Sequence, residues 1–125
     1  YYYIGGTNII DAAVFFQKDG YIKGTFMCLS FQFKKTLSLG RGGAVLCDNL
    51  SDYQQLKKMS HDGRSVDTPW RDQNISHIGY HYYMTPETAD LGIQKLKDAV
   101  PKPTQGSEDY PYLPNMDVFK HINKD

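Results

Sequence analysis

Apolar positions come in short bursts along the chain, and the spacing within the bursts changes partway. Asn8-Ile9-Ile10-Asp11-Ala12-Ala13 reads as a short buried strand running into a polar turn. Asp19-Gly20 is a tight-turn dipeptide, and Tyr21 to Lys23 is expected to be the returning strand of a hairpin. Thr25 to Phe33 is rich in β-formers and nearly apolar throughout, as a strand covered on both faces would be. Lys34-Lys35 follows it, then Gly40-Arg41-Gly42-Gly43, then a further short strand at Ala44-Val45-Leu46-Cys47.

From there the period is helical. Ser51-Asp52-Tyr53-Gln54 is a capping-box pattern, and Tyr53, Leu56 and Met59 recur at spacing three on one face. The helix is expected to end near His61-Asp62-Gly63, with Gly63 as its stop. Arg64 to Ser76 is polar and irregular and reads as a loop. Thr85-Pro86-Glu87 opens a second helix, with Thr85 as N-cap and proline at the first helical position. Ala89, Ile93, Leu96 and Val100 make one apolar stripe on it, and Pro101 and Pro103 stop it. Residues 104–125 carry Pro111 and Pro114 and few apolar anchors before Val118-Phe119, so they are expected to form an extended C-terminal tail or arm after a unit of residues 1–103. Strands alternating with helices predict an α/β fold, its sheet mixed because of the hairpin.

Length and composition fit one ordinary domain with a real core: 125 residues, 40% hydrophobic and 22% charged. The formal net charge is +0, which gives no electrostatic footprint for nucleic acid and no basic patch for a membrane. Cys28 and Cys47 are too few and too far apart for a disulfide framework or a zinc motif, and are expected to be buried free thiols. No metal site is predicted. No apolar run approaches the ~20 residues that cross a bilayer, and no signal peptide is visible, so the expected location is cytoplasmic. The chain opens on Tyr1-Tyr2-Tyr3 rather than on methionine, which fits a piece of a longer protein.

Chemistry concentrates in one segment, Ser30-Phe31-Gln32-Phe33-Lys34-Lys35-Thr36-Leu37-Ser38-Leu39-Gly40-Arg41-Gly42-Gly43. A strand delivers a small hydroxyl residue, then a lysine five positions later, then a glycine turn. That order suits pyridoxal phosphate. A lysine amine condenses with its aldehyde, a serine hydroxyl donates to its phosphate, and glycines let the backbone turn where side chains would crowd the site. On chemistry alone, a solvated charge pair at a strand end is the commoner reading of Lys34-Lys35, because lysine is usually exposed.

The segment resembles the lysine motif of the DegT-type family of sugar-nucleotide aminotransferases, members of pyridoxal-phosphate fold type I. That motif reads Ser-Phe, three residues, Lys, then Asn-Leu or similar, two residues, Gly-Glu-Gly-Gly. Ser30-Phe31, Lys35, Thr36-Leu37 and Gly40-Arg41-Gly42-Gly43 fall in that register without a gap. Ile9-Ile10-Asp11-Ala12-Ala13 is similar to the family's strand ending in Glu-Asp-Ala-Ala. Gly79-Tyr80-His81-Tyr82-Tyr83-Met84, with Ala89-Asp90-Leu91-Gly92 and Gln94-Lys95-Leu96 after it, is similar to the family's Gly-Tyr-Asn-Tyr-Arg-Met segment and its helix. His61-Asp62-Gly63-Arg64 occupies the place of a His-Gly turn. The likeness runs in order from about Asn8 to Leu96.

This resemblance implies part of the large domain of a fold type I transferase, a mixed β-sheet with flanking helices. It implies Lys35, rather than Lys34, as the catalytic lysine that holds pyridoxal 5'-phosphate. Asp11 would pair with the pyridine nitrogen, and Ser30 would contact the phosphate. His81 stands where the family has an asparagine that reaches the phosphate from a neighbouring subunit. The implied reaction moves an amino group from a donor amino acid such as glutamate to a keto-sugar nucleotide, in a homodimer or with a partner chain supplying the missing half. Val14, Gln32, Tyr83 and Arg41 each replace a residue usual in the family. Family members are also much longer, and the phosphate-binding turn and ring-stacking aromatic of their first half have no counterpart here. A non-catalytic subunit or remnant that binds a partner chain is therefore the alternative, and an unrelated α/β binding domain a third.

Overall fold

A computed structural model of the chain describes residues 1–101 and 111–119. Four strands form one sheet in sequence order: β1 (Tyr2–Tyr3), β2 (Ile9–Asp11), β3 (Phe26–Ser30) and β4 (Gly43–Leu46). β1 pairs antiparallel with β2, β2 parallel with β3, and β3 antiparallel with β4. Two helices follow, α1 (Leu50–Ser60) and α2 (Pro86–Leu96).

The sheet is mixed, though not through the expected hairpin. A turn does form at Asp19-Gly20, where Gly20 N–H donates to the Gln17 carbonyl at 3.2 Å. Tyr21 to Lys23 is not a strand. Because β2 and β3 are parallel, the chain must cross over between them, and an antiparallel return is excluded. The crossing segment lays Phe15, Phe16, Tyr21 and Ile22 on the core instead.

That core is small and lies on one face of the sheet. Ile10 and Met27 are register partners and are 0% and 2% exposed. Ala12, Leu29, Phe31 and Leu37 complete the buried cluster, and Ala44 and Leu46 of β4 pack against it. β3 alternates strictly: Met27 and Leu29 are buried, while Phe26, Cys28 and Ser30 are half-buried. The expectation of a strand covered on both faces is thus corrected. The apolar run of Thr25 to Phe33 concealed a period of two, because apolar residues stand on both faces although only one is covered.

α1 starts two residues earlier than its capping-box pattern suggests. Asn49, not Ser51, is the N-cap: its Oδ1 accepts from Asp52 N–H at 2.8 Å, and its Nδ2 donates to Asp52 Oδ2 at 2.6 Å. The C-terminal stop is as expected. Gly63 has φ +76° and donates its N–H to the Lys58 carbonyl at 2.9 Å. No residue of α1 is buried, and Tyr53 and Met59 remain exposed.

α2 is capped by Thr85 with Pro86 in its first turn, as read from the sequence. Its expected apolar stripe does not face the core: Ile93, Leu96 and Val100 are exposed. The close approach is made at Gly92, where a Cβ would stand 3.1 Å from Leu39 Cδ1. A helix docked through its glycine turns its larger apolar residues elsewhere. Residues 104–110 and 120–125 of the expected tail lie outside the described residues. Within 111–119, Leu113–Asn115 and Asp117–Phe119 are short 3-10 turns rather than extended chain.

The end of α1 is fastened to the segment before α2 by backbone bonds. Tyr80 N–H donates to Met59 O at 2.6 Å, Asp62 N–H to Tyr80 O at 3.0 Å, and Tyr82 N–H to Ser60 O at 3.0 Å. Gly63 and Gly79 meet there backbone to backbone, and a Cβ on Gly63 would strike the His77 carbonyl. Gly63→Ala adds that collision to a left-handed φ. We expect it to lower stability by at least about 1 kcal/mol, read as a fall in melting temperature. An unchanged melting temperature would show that this junction is not closed as described.

Candidate active site

β2 and β3 are parallel, so both finish at the same edge of the sheet. The chain places polar residues there: Asp11 closes β2 and Ser30 closes β3. The register pairs Asp11 with Cys28, so Ser30 lies two residues farther, roughly 7 Å along the strand direction. Ile10 and Met27 mark the buried face; Asp11, Cys28 and Ser30 take the opposite one. The fold thus brings two of the four sequence-predicted site residues onto one face at one edge.

Both Asp11 oxygens are engaged. Oδ1 accepts from Ala13 N–H at 2.9 Å and Oδ2 from the Tyr2 hydroxyl at 2.8 Å. The hydrogen bond to Asp11, and then the carboxylate's charge, push the Tyr2 phenol above its usual ionisation range. Sequence reasoning missed Tyr2, because nothing in Tyr1-Tyr2-Tyr3 showed which residue would be paired across from Asp11. Burial, and secondarily the charge of Asp11, push the Cys28 thiol up. Cys28 and Cys47 are free, as expected, but half-buried rather than buried.

Lys35 sits in the loop that leaves β3. The loop is closed at its base, where Phe31 N–H donates to Gly42 O and Leu39 N–H to Phe31 O, both at 2.9 Å. Within it, Lys35 N–H donates to Gln32 O at 2.9 Å, and the Ser38 hydroxyl to Phe33 O at 2.8 Å. Leu37, 5% exposed, is the apolar anchor that holds the loop on the core. The two lysines differ in setting: Lys35 is half-buried, whereas Lys34 is exposed, its Nζ 5.9 Å from the centre of the Phe33 ring. α2 steadies the loop from outside, with Lys95 Nζ donating to Ser38 O at 3.1 Å.

His81 stands on the segment fastened to the end of α1, apart from the strand edge. Its Nδ1 lies 3.2 Å from Asp62 Oδ2, and its ring centre 4.4 Å from that of Tyr83. Tyr83 in turn stacks on His61 at 4.6 Å. An apolar groove of about 760 Å³ lies between β3–β4 and α1, and none of Asp11, Ser30, Lys35 and His81 lines it. Its walls include Cys28 and Gly43, the register partners of Asp11 and Ser30, and on the far side His61 and Tyr83. Among the described residues, no three His, Cys, Asp or Glu side chains gather as a metal site, and no helix is long and apolar enough to cross a membrane.

Against known proteins, the profile of the DegT/DnrJ/EryC1/StrS aminotransferase family matches residues 16–105. That stretch includes Ser30, Lys35 and His81; Asp11 precedes it. The chain is also similar to a crystal structure from Bacillus cereus ATCC 10987, a protein provisionally assigned as a PLP-dependent aminotransferase. The TM-score is 0.57 and the identity 25%, over 73% of this chain and 26% of that one. The chain therefore spans about a quarter of that protein's length. No curated protein matches it. The mixed α/β sheet is part of a fold type I transferase fold, as the sequence resemblance implied.

The placement of Asp11 beside Cys28 has a direct chemical readout. In a Cys47→Ser background, Asp11→Asn removes a negative charge that disfavours the Cys28 thiolate. The pH midpoint of Cys28 alkylation is expected to fall, while remaining above that of a free thiol because burial persists. A midpoint that stays in place would separate Asp11 from Cys28.

Proposed function

Because the chain belongs to the DegT/DnrJ/EryC1/StrS aminotransferase family, we propose that it forms the lysine-bearing part of a PLP-dependent aminotransferase that delivers an amino group to a keto-sugar nucleotide. The observation that carries this reading is the common edge of β2 and β3. It presents Asp11 and Ser30 on one face, with Lys35 in the closed loop directly beyond.

The residues fit the cofactor. A carboxylate stands at one level of the edge to face a ring nitrogen, and a hydroxyl roughly 7 Å farther along it to meet a phosphate. Lys35, a half-buried residue, follows in the loop. Bound there, pyridoxal phosphate supplies an electron sink for the donor's α-carbon. The chain's own residues do the rest. Asp11 keeps a proton on the ring nitrogen, Ser30 Oγ donates to the phosphate, and Lys35 Nζ holds the cofactor and carries the proton taken from the α-carbon. His81, from a second copy of the chain, donates to the same phosphate. The donor is an amino acid such as glutamate. We take residues 1–103 as the extent of this domain. The free thiols Cys28 and Cys47 agree with a cytoplasmic setting.

A second reading has its own support. The groove between the sheet and α1 is uncovered, with Val45, Tyr53, Met59 and Tyr82 exposed along it. The chain spans about a quarter of the similar structure. As a subunit or remnant without catalysis, it would use this face to bind a partner chain that supplies the missing half.

Pyridoxal phosphate added to the chain and fixed with borohydride is expected to mark the peptide containing Lys35, and Lys35→Ala to lose that mark. Labelling of Lys34 and Lys35 in equal measure, or a mark that persists in Lys35→Ala, would overturn the assignment of the lysine.

A further inference from the structure

We infer that Asp62 is a positioning residue, which fixes the imidazole of His81 through Nδ1 and leaves Nε2 as the nitrogen offered to an anionic phosphate. The inference rests on the reading of His81 as a phosphate contact and adds to it the residue that orients the ring.

Three observations support it. The Asp62 carboxylate, which when ionised can accept but not donate, lies 3.2 Å from His81 Nδ1, so Nδ1 carries the hydrogen. Protonation of the ring then adds its second N–H at Nε2, where it can donate to a phosphate oxygen. Next, the pair is held by backbone. Asp62 N–H donates to Tyr80 O at 3.0 Å, Tyr82 N–H donates to Ser60 O at 3.0 Å, and His61 and His81 form an isolated antiparallel bridge. Two short side chains carried on such a junction meet without ordering long, mobile stems. Finally, Asp62 occupies a left-handed backbone, φ +57°, that glycine would take at less cost. Aspartate is one of the few non-glycine residues that take this conformation, so the backbone there sets where its carboxylate stands.

Stability does not explain the pair. The two side chains are 71% and 43% exposed, and ion pairs in that setting contribute little to folding. What the contact does control is which ring nitrogen is bound and which way the ring faces. Histidines that act on a ligand through one nitrogen are commonly held by a carboxylate on the other. The Tyr83 ring, 4.4 Å from His81 and tilted by 54°, further limits the rotation of the imidazole.

The test uses Asp62→Gly, which deletes the carboxylate at a φ that suits glycine, and Asp62→Asn, whose amide oxygen can still accept from Nδ1. Long-range proton–nitrogen spectra report the His81 tautomer in each. The parent chain and Asp62→Asn are expected to show Nδ1 protonated in the neutral ring, and Asp62→Gly to lose that preference and show both tautomers. An unchanged tautomer in Asp62→Gly overturns the inference. Titration with inorganic phosphate, at a pH where the ring carries both hydrogens so that Nε2 can donate, then addresses the reading beneath it. A shift at His81 Nε2 in the parent chain, weakened severalfold in Asp62→Gly and restored in Asp62→Asn, supports both. An Nε2 signal indifferent to phosphate, beside a tautomer that does depend on Asp62, removes His81 as the phosphate contact while leaving its orientation by Asp62 established.

Discussion

The parallel pairing of β2 with β3 is the constraint on which the other features depend. Register sets Ile10 against Met27, and these two side chains are the most deeply buried of the large ones. The same register sends Asp11, Cys28 and Ser30 to the opposite face and brings the two polar residues to one edge. A slip of one residue would exchange the faces, exposing Ile10 and driving Asp11 into the core. The apolar cluster and the polar edge are therefore two consequences of one alignment. Parallel strands also oblige the intervening chain to cross over, which carries Phe15, Phe16, Tyr21 and Ile22 to the core side.

From that edge outward, precision passes to hydrogen bonds. The loop after β3 takes its shape from closure at Phe31, Leu39 and Gly42, with Leu37 as its anchor. This makes the two adjacent lysines unequal: one lies half-buried in the closed loop and the other is exposed beside Phe33. The second region, around His81, is organised without a core. Its order derives from the backbone junction between the end of α1 and residues 79–83, where two glycines allow the chains to touch.

One face of the sheet is covered and the other opens onto the groove. In α/β folds both faces of a parallel sheet are ordinarily packed by helices. Here α1 contributes no buried residue, and the apolar stripe of α2 faces outward. With those surfaces exposed, the core is confined to a single face of the sheet.

The sequence by itself determined those features that depend on local chemistry. The helix positions followed from their period, the cap of α2 from Thr85 and Pro86, and the stop of α1 from Gly63, because each acts within a turn of chain. Lys35 was separable from Lys34 only through the register of a family motif, since the period of a strand says nothing about a loop beyond its end. Tertiary structure decided everything that needed a partner distant in sequence. It made β2 and β3 parallel where Asp19-Gly20 suggested a hairpin. It docked α2 through Gly92 and left its stripe exposed. It also set Tyr2 against Asp11 and Asp62 against His81. No spacing rule contains such pairs, because they exist only once the register of the sheet and the junction after α1 have brought the chain together.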